Sequence, residues 1–402
     1  MTVWIEAPFD SLPIEGYRKQ RYWLLSEAFV RAGHRVVYWT SDFSHARKCE
    51  RCEKCEKCEK CEKCEKCEKC ERCERFEVRL IKTLPYRKNV SWARVRSHRA
   101  YAKEWEKMAL DLTSHTSHTP QTSHTSSPDL LIVSTPPLAT GDVALRLKRE
   151  LGVKLVVDIQ DVWPETFYRL LPRGFRWAAA LALRPAKRAA MRLMGGADLV
   201  TGVCDRYRTL ALDAGARDYF RAYLGRERIV QTPEAARASL PHSAPLRLVY
   251  VGNLGASYDL KTVVRGLGIL RERGVEATLD VAGFGTPPAG VKFHGMLGAA
   301  ELDRLLVSCD IGVVPMRDES FVGVPNKFCD YAAAGLRIVS SLGGESAALL
   351  EKYGCGATYR GGDAASFAEA VLKAKGLASS SALFEGEFEA EKVYDDYVRR
   401  VS

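Results

Sequence analysis

The 402-residue sequence contains no apolar run near the roughly 18 residues that argue for a spanning helix. Its first stretch, "MTVWIEAPFDSLPIEGYRKQ", has no basic region leading into an apolar one. No spanning segment and no secretory leader are therefore expected, and a soluble, cytoplasmic protein is. No convincing Asp-x-Asp cation motif is present. Cysteine is scarce outside one segment: nine of the thirteen lie between Cys49 and Cys73. The other four, Cys204, Cys309, Cys329 and Cys355, are scattered among apolar neighbours and read as small buried hydrophobes. That distribution is unlike the disulfide framework of a small secreted domain.

What is present is enough for a large core. At 46% apolar, the chain has the length and composition of two ordinary domains. The formal charge is +10, and the excess lies in "YRKQR" (17–21), "RKNVSWARVRSHRAYAK" (87–103) and "RGFRWAAALALRPAKRAAMR" (173–192). These are either solvated basic surface or attraction to an anion such as phosphate, lipid headgroup or nucleic acid.

Short β-rich runs alternate with amphipathic helical ones. Strands are predicted at 2–8, 34–41, 76–83, 129–137, 154–161 and 197–204, and again at 246–254, 277–285, 291–296, 310–316 and 336–342. Several are nearly unbroken apolar runs, the mark of a parallel sheet covered on both faces. This predicts an α/β chain with two β/α domains: residues 1–220, a linker over 221–245, and residues 246–384. A last helix over 385–402 is expected to return to the first domain. Two low-complexity segments, 49–75 and 113–127, read as loop insertions.

The cysteine repeat places a thiol at every third residue without a break. On a helix that period advances about 300° per step, so the thiols spiral and share no face. Each Glu is followed four residues later by Lys or Arg through most of the run, which favours an exposed, charged helix. An expanded linker fits better than a zinc module, whose paired ligands need a folding spacer. Adventitious metal binding by these thiols, joined by the three histidines of the second insertion, is chemically reasonable.

The richest segment is "SFVGVPNKFCDYAAAGLRIVSS" (320–341). It reads as loop, helix and buried strand, with Pro325 at the helix start and Lys327 in the first turn. A cation beside free helical N–H groups is a site for an anion such as diphosphate. Asp330, three residues on, is placed to accept hydrogen bonds from ribose hydroxyls. Lys327 and Asp330 also fit a plain surface ion pair.

"VPNKFCDYAAAGLRIV" resembles the C-terminal nucleotide-sugar motif of family 4 glycosyltransferases, which have the GT-B fold. Its Pro-Asn-Lys-Phe variant is similar to enzymes of bacterial surface-polysaccharide and lipopolysaccharide synthesis. "LVYVGNLGASYDLKTVVRGL" (248–267) resembles the glycine turn that opens their second domain, and "DIQDVWPE" (158–165) the subgroup's D-x-W-P-E segment. The resemblance covers nearly the whole chain apart from the two insertions.

It implies two Rossmann-like domains facing across a cleft, and sugar transfer from a nucleotide-diphosphate sugar, most simply a UDP-sugar, to a glycan or lipid-linked glycan. Transfer would be retaining and metal-independent, with no cofactor and no nucleic-acid partner. Gly252, Asn253, Lys261, Asn326, Lys327 and Asp330 would hold the donor. Asn253 stands where many relatives have an arginine. Val322 stands where many have a first glutamate, with Glu319 near but out of register. Gly16, Tyr17 and Arg18 would face the acceptor. Lys327 and Asp161 would carry the chemistry, Asp161 either orienting an acceptor hydroxyl or capping the next segment; Glu165 is a weaker candidate. The basic segment 173–192, with Phe175 and Trp177, suggests peripheral contact with an anionic membrane at its inner face. Alternatives are a nucleotide-sugar epimerase of the same architecture, a thiol-rich metal-binding protein, or a degenerate transferase that only binds.

Overall fold

A computed structural model describes residues 1–13, 17–43, 75–86, 91–114, 127–166, 171, 173–229, 245–255, 257–317 and 321–402. The thiols of the cysteine repeat, most of the second insertion, Gly16, Glu319 and most of the linker lie outside the described residues.

Two all-parallel sheets organise the chain. The first contains β1 (Thr2–Glu6), β2 (Arg35–Ser41), β3 (Phe76–Ile81), β4 (Leu130–Thr135), β5 (Lys154–Ile159), β6 (Leu199–Gly202) and β7 (Tyr219–Arg221), in the order β3-β2-β1-β4-β5-β6-β7. The second contains β8 (Leu246–Val251), β9 (Ala277–Ala282), β10 (Lys292–Gly295), β11 (Ile311–Val314), β12 (Arg337–Ser340) and β13 (Gly356–Thr358), in the order β10-β9-β8-β11-β12-β13. The nearly unbroken apolar runs behave as their composition requires. Every residue of β1 and of β4 is buried, because helices cover both faces. The two strands that the sequence did not announce, β7 and β13, are three residues each, too short to show a period.

Strand order reverses between β1 and β4 in the first sheet and between β8 and β11 in the second. Such switch points leave a crevice at the carboxyl ends of the strands. The loops after β1 and β4 here face those after β8 and β11.

A buried ion pair ties the first domain together. Arg21 donates from Nε to Asp158 Oδ2 at 2.7 Å and from Nη2 to Asp158 Oδ1 at 2.8 Å. Tyr22 and Thr201 hydroxyls complete the carboxylate's hydrogen bonds, at 2.7 and 2.6 Å. Burial pushes the Asp158 pKa up, but Arg21 and these bonds outweigh it and hold the group below its ordinary value. Over the guanidinium lie the rings of Tyr394 and Tyr397, from the helix Ala390–Val401. That helix packs on the helix Arg21–Arg31, so the end of the chain lies on the first domain.

The polypeptide thus crosses between the domains twice, and the two crossings are bonded to each other. Arg226 N–H donates to Phe388 O at 2.7 Å, and Ala390 N–H donates to Arg226 O at 2.9 Å. Beside them, Glu345 of the second domain accepts from the backbone N–H of Asp205 at 2.9 Å and from the Tyr223 hydroxyl at 2.7 Å.

The basic stretch 173–192 forms two helices, Arg173–Ala182 and Arg184–Gly196, with Pro185 in the first turn of the second. Phe175 and Trp177 are about 70% exposed on the first of them. Among the described residues, no helix is long and apolar enough to cross a membrane. The four cysteines outside the repeat are all buried.

Candidate active site

The facing switch points enclose a cleft of ≈ 450 Å³. Its second-domain wall is made by Ser257 and Tyr258 after β8, Met316 after β11, and Pro325, Asn326 and Lys327 at the head of the helix Asn326–Ala333. Pro325 takes the N-cap position with extended backbone, and no side chain caps the helix.

Lys327 is buried, and among the described residues its ammonium makes no hydrogen bond or ion pair. Nζ lies over the ring of Tyr258, 3.9 Å from the centroid, and 5.2 Å from that of Tyr250. Burial lowers its pKa to about 8, with Asp330 acting in the opposite direction.

The glycine turn after β8 leaves room for this side chain. Gly252 has φ +135°, and a Cβ there would start 3.5 Å from Lys327 Nζ, beside the ammonium. Gly283 backs the turn so closely that its own Cβ would fall 2.0 Å from Gly252 O, so that position admits no side chain. Asn253 is exposed, and its carbonyl accepts from the Tyr250 hydroxyl at 2.5 Å. Lys261 is exposed on the helix Leu260–Glu272 and does not line the cleft.

Asp330 and Asn326 share a cation that the sequence reading missed. Arg226 donates from Nε to Asp330 Oδ1 at 2.6 Å and from Nη2 to Asn326 Oδ1. Arg18 approaches Asp330 at 3.6 Å and pairs with Asp303, so the loop after β1 reaches across to the second domain. Tyr17 is half-buried. Val322 lines the cleft.

Among the described residues, two carboxylates line the first-domain wall, and they differ. Asp161 caps the segment that follows it: Oδ1 accepts from Val162 N–H at 2.8 Å and Thr166 Oγ1 at 2.9 Å, and Oδ2 from Trp163 Nε1 at 3.1 Å. Asp10, in the loop after β1, has a fully buried Oδ2 with no hydrogen-bond partner. Burial raises its pKa to about 7, against the attraction of Arg21. Glu165 lies away from the cleft, buried, with Lys187 Nζ 3.5 Å from its Oε1. The helix Trp92–Ser114, which the sequence showed only as a basic stretch, contributes Arg94 and His98. The Arg94 guanidinium lies 4.5 Å from the centroid of the Trp163 ring, and its Nε is 3.3 Å from His98 Nε2. Burial and then Arg94 depress the His98 pKa to about 3, which keeps the imidazole neutral.

Residues 245–375, nearly all of the second domain, match the family model described as "Glycosyl transferases group 1". The chain carries a glycosyltransferase domain. Solved structures of similar shape cover the first domain as well. HepE of Anabaena, in complex with UDP and glucose, is 13% identical with a TM-score of 0.61, over 99% of this chain and 98% of that one. Sucrose-phosphate synthase of Thermosynechococcus elongatus is 12% identical with a TM-score of 0.67, over the same shares of 99% and 98%. WaaG, a glycosyltransferase involved in lipopolysaccharide biosynthesis, is 14% identical with a TM-score of 0.53, over 99% of this chain and 95% of that one. No curated protein sequence matches the chain. The fold is therefore GT-B, two Rossmann-like domains facing across a cleft, and the glycosyltransferase domain supplies the wall that holds Lys327.

Proposed function

We propose that the chain transfers a sugar from a UDP-sugar to a glycan or lipid-linked glycan of a bacterial surface polysaccharide or lipopolysaccharide, retaining the anomeric configuration. The observation that carries this reading is the Lys327 ammonium, buried at an uncapped helix head in the cleft and free of ion pairs among the described residues. Breaking the bond between the anomeric carbon and the diphosphate builds negative charge on the departing oxygens. An ammonium and helical N–H groups already fixed in place stabilise that charge without reorganising. The donor's diphosphate therefore lies against Asn326 and Lys327, with Gly252 giving it room. Asp330, steadied by Arg226, meets the ribose. HepE, solved in complex with UDP and glucose and in complex with UDP, supports the choice of nucleotide.

Calorimetric titration with UDP, and a thermal-shift series of UDP-, GDP- and dTDP-sugars, test the reading. Binding of UDP and stabilisation by at least one UDP-sugar are expected; no binding by any nucleotide refutes it. An epimerised sugar formed without acceptor would mark an epimerase instead.

The helices at 173–196 support a peripheral place at the inner face of the membrane. Phe175, Trp177 and Leu181 are exposed among Arg176, Arg184, Lys187 and Arg188. Co-sedimentation with anionic but not zwitterionic liposomes is the expected result, lost on Phe175→Ser with Trp177→Ser.

A further inference from the structure

We infer that Phe9 and His98 form the subsite for the acceptor's sugar ring, with His98 Nδ1–H donating to one of its unreactive oxygens. Both residues line the first-domain wall of the cleft that holds Lys327. With the donor's nucleotide on the second-domain wall, the facing wall is left to the other substrate.

The hydrogen-bonding state of His98 is set by its neighbour. A guanidinium only donates, so the bond from Arg94 Nε at 3.3 Å makes His98 Nε2 an acceptor. The ring is held neutral beside that cation, and its single proton is therefore on Nδ1. Among the described residues no protein group is hydrogen-bonded to Nδ1, and the ring borders the cleft. A donor on a side chain so nearly buried calls for a partner. The ring cannot turn to find another, because it packs among Phe9, Tyr86 and Trp163 with centroids 4.7, 6.1 and 6.1 Å away.

Phe9 is half-buried and keeps part of its ring open to the cleft. An aromatic ring beside a fixed donor matches a pyranose, whose C–H face is apolar and whose edge carries oxygens. The Arg94 charge repels an ammonium, so the ring taken is a neutral or N-acylated sugar and not a free amino sugar. With its pKa at about 3, His98 takes up no proton near neutrality. It orients the acceptor and is not the base.

This inference rests on the donor reading, and the experiment separates the two. UDP affinity is measured by calorimetry. The UDP-saturated protein, labelled with ¹⁵N-histidine, is then titrated with the methyl glycosides of glucose, galactose, mannose and N-acetylglucosamine. At least one glycoside should bind and move the His98 Nδ1 resonance, identified by its loss in His98→Gln. UDP or UDP-glucose alone should leave that resonance in place. His98→Gln puts its amide near the Nε2 position and should weaken the glycoside at least about fivefold, the loss of one hydrogen bond, with UDP affinity within about twofold of wild type. His98→Asn puts an amide N–H near the Nδ1 position and should recover most of that loss. Phe9→Leu, apolar without a flat face, should also weaken the glycoside and not UDP. Equal losses in the two amide variants, a resonance moved by UDP-glucose alone, or UDP binding with no glycoside bound overturns the subsite. Failure to bind UDP overturns the donor reading and this inference with it.

Discussion

The Lys327 ammonium lies 3.9 Å from the centroid of the Tyr258 ring, and among the described residues no carboxylate oxygen forms an ion pair with it. A cation in that setting is stabilised by ring quadrupoles and remains available to an incoming anion. Removing it by Lys327→Ala should weaken UDP binding by about 1.5–3 kcal/mol, the range for a charge-assisted bond to phosphate. Thermal stability should hold or rise slightly, because the substitution abolishes the desolvation cost of a buried charge. Calorimetry beside a melting curve checks both, and an unchanged UDP affinity would remove Lys327 from the site.

The same burial gives UDP binding a pH limit. With its pKa at about 8, Lys327 is an ammonium below that value and loses charge above it. UDP affinity should fall as pH rises past about 8, by up to roughly tenfold per unit, and bound diphosphate should move the limit upward. Lys327→Arg should abolish the fall, since a guanidinium stays charged. For stability the sign is the reverse. The folded value lies below the ordinary lysine value of about 10.4, so the cost of the buried charge is present below 8 and is relieved as pH rises from 8 toward 10.4.

Asp10 should behave as a residue kept at the expense of stability. Its pKa in the folded protein, about 7, exceeds the ordinary carboxylate value of about 3.9. The folded state therefore holds a proton that the unfolded state has lost between those limits, and stability contributed by the neutral form declines as pH rises from about 4 to 7. Asp10→Asn should raise the melting temperature at pH 8 and leave it nearly unchanged at pH 4. Equal shifts at both values would contradict the raised pKa.

Much of the fold was legible because its signals are local. β1, β4 and β5 each contain three or four consecutive apolar residues, and a run of that kind fits a sheet covered on both sides. Lys327 and Asp330 were legible as a pair because three residues of helix set their spacing. Arg226 was not: it meets Asp330 from 104 positions away, and nothing in "LGRERIV" marks it as a partner. Asp10 looked like an ordinary loop residue, and what distinguishes it is an oxygen without a donor, which only packing reveals. The helix Trp92–Ser114 was hidden by its own arginines; its buried Tyr101, Trp105 and Ala109 lie on one face at four-residue steps.

Arg226 carries a prediction of its own. It is buried, and burial lowers its pKa while Asp330 raises it; the net effect is upward. Arg226→Met leaves the Asp330 carboxylate without its nearest cation, and loss of one partner of a buried pair costs about 3–5 kcal/mol. Asp330 is partly exposed and Arg18 stands 3.6 Å from it, so the lower end of that range is expected. Chemical denaturation measures the loss. The double variant Arg226→Met with Asp330→Leu should recover part of it, whereas no recovery would mean that Arg226 acts through its other contacts.

The bonded pair of crossings at Arg226 and Glu389 has a mechanical consequence. A single tether would let one lobe swivel freely over the other; two tethers laced together edge to edge behave like the knuckles of one door hinge. Any swing of one lobe over the other is then expected to run as rocking about that line, since twisting would break both bonds.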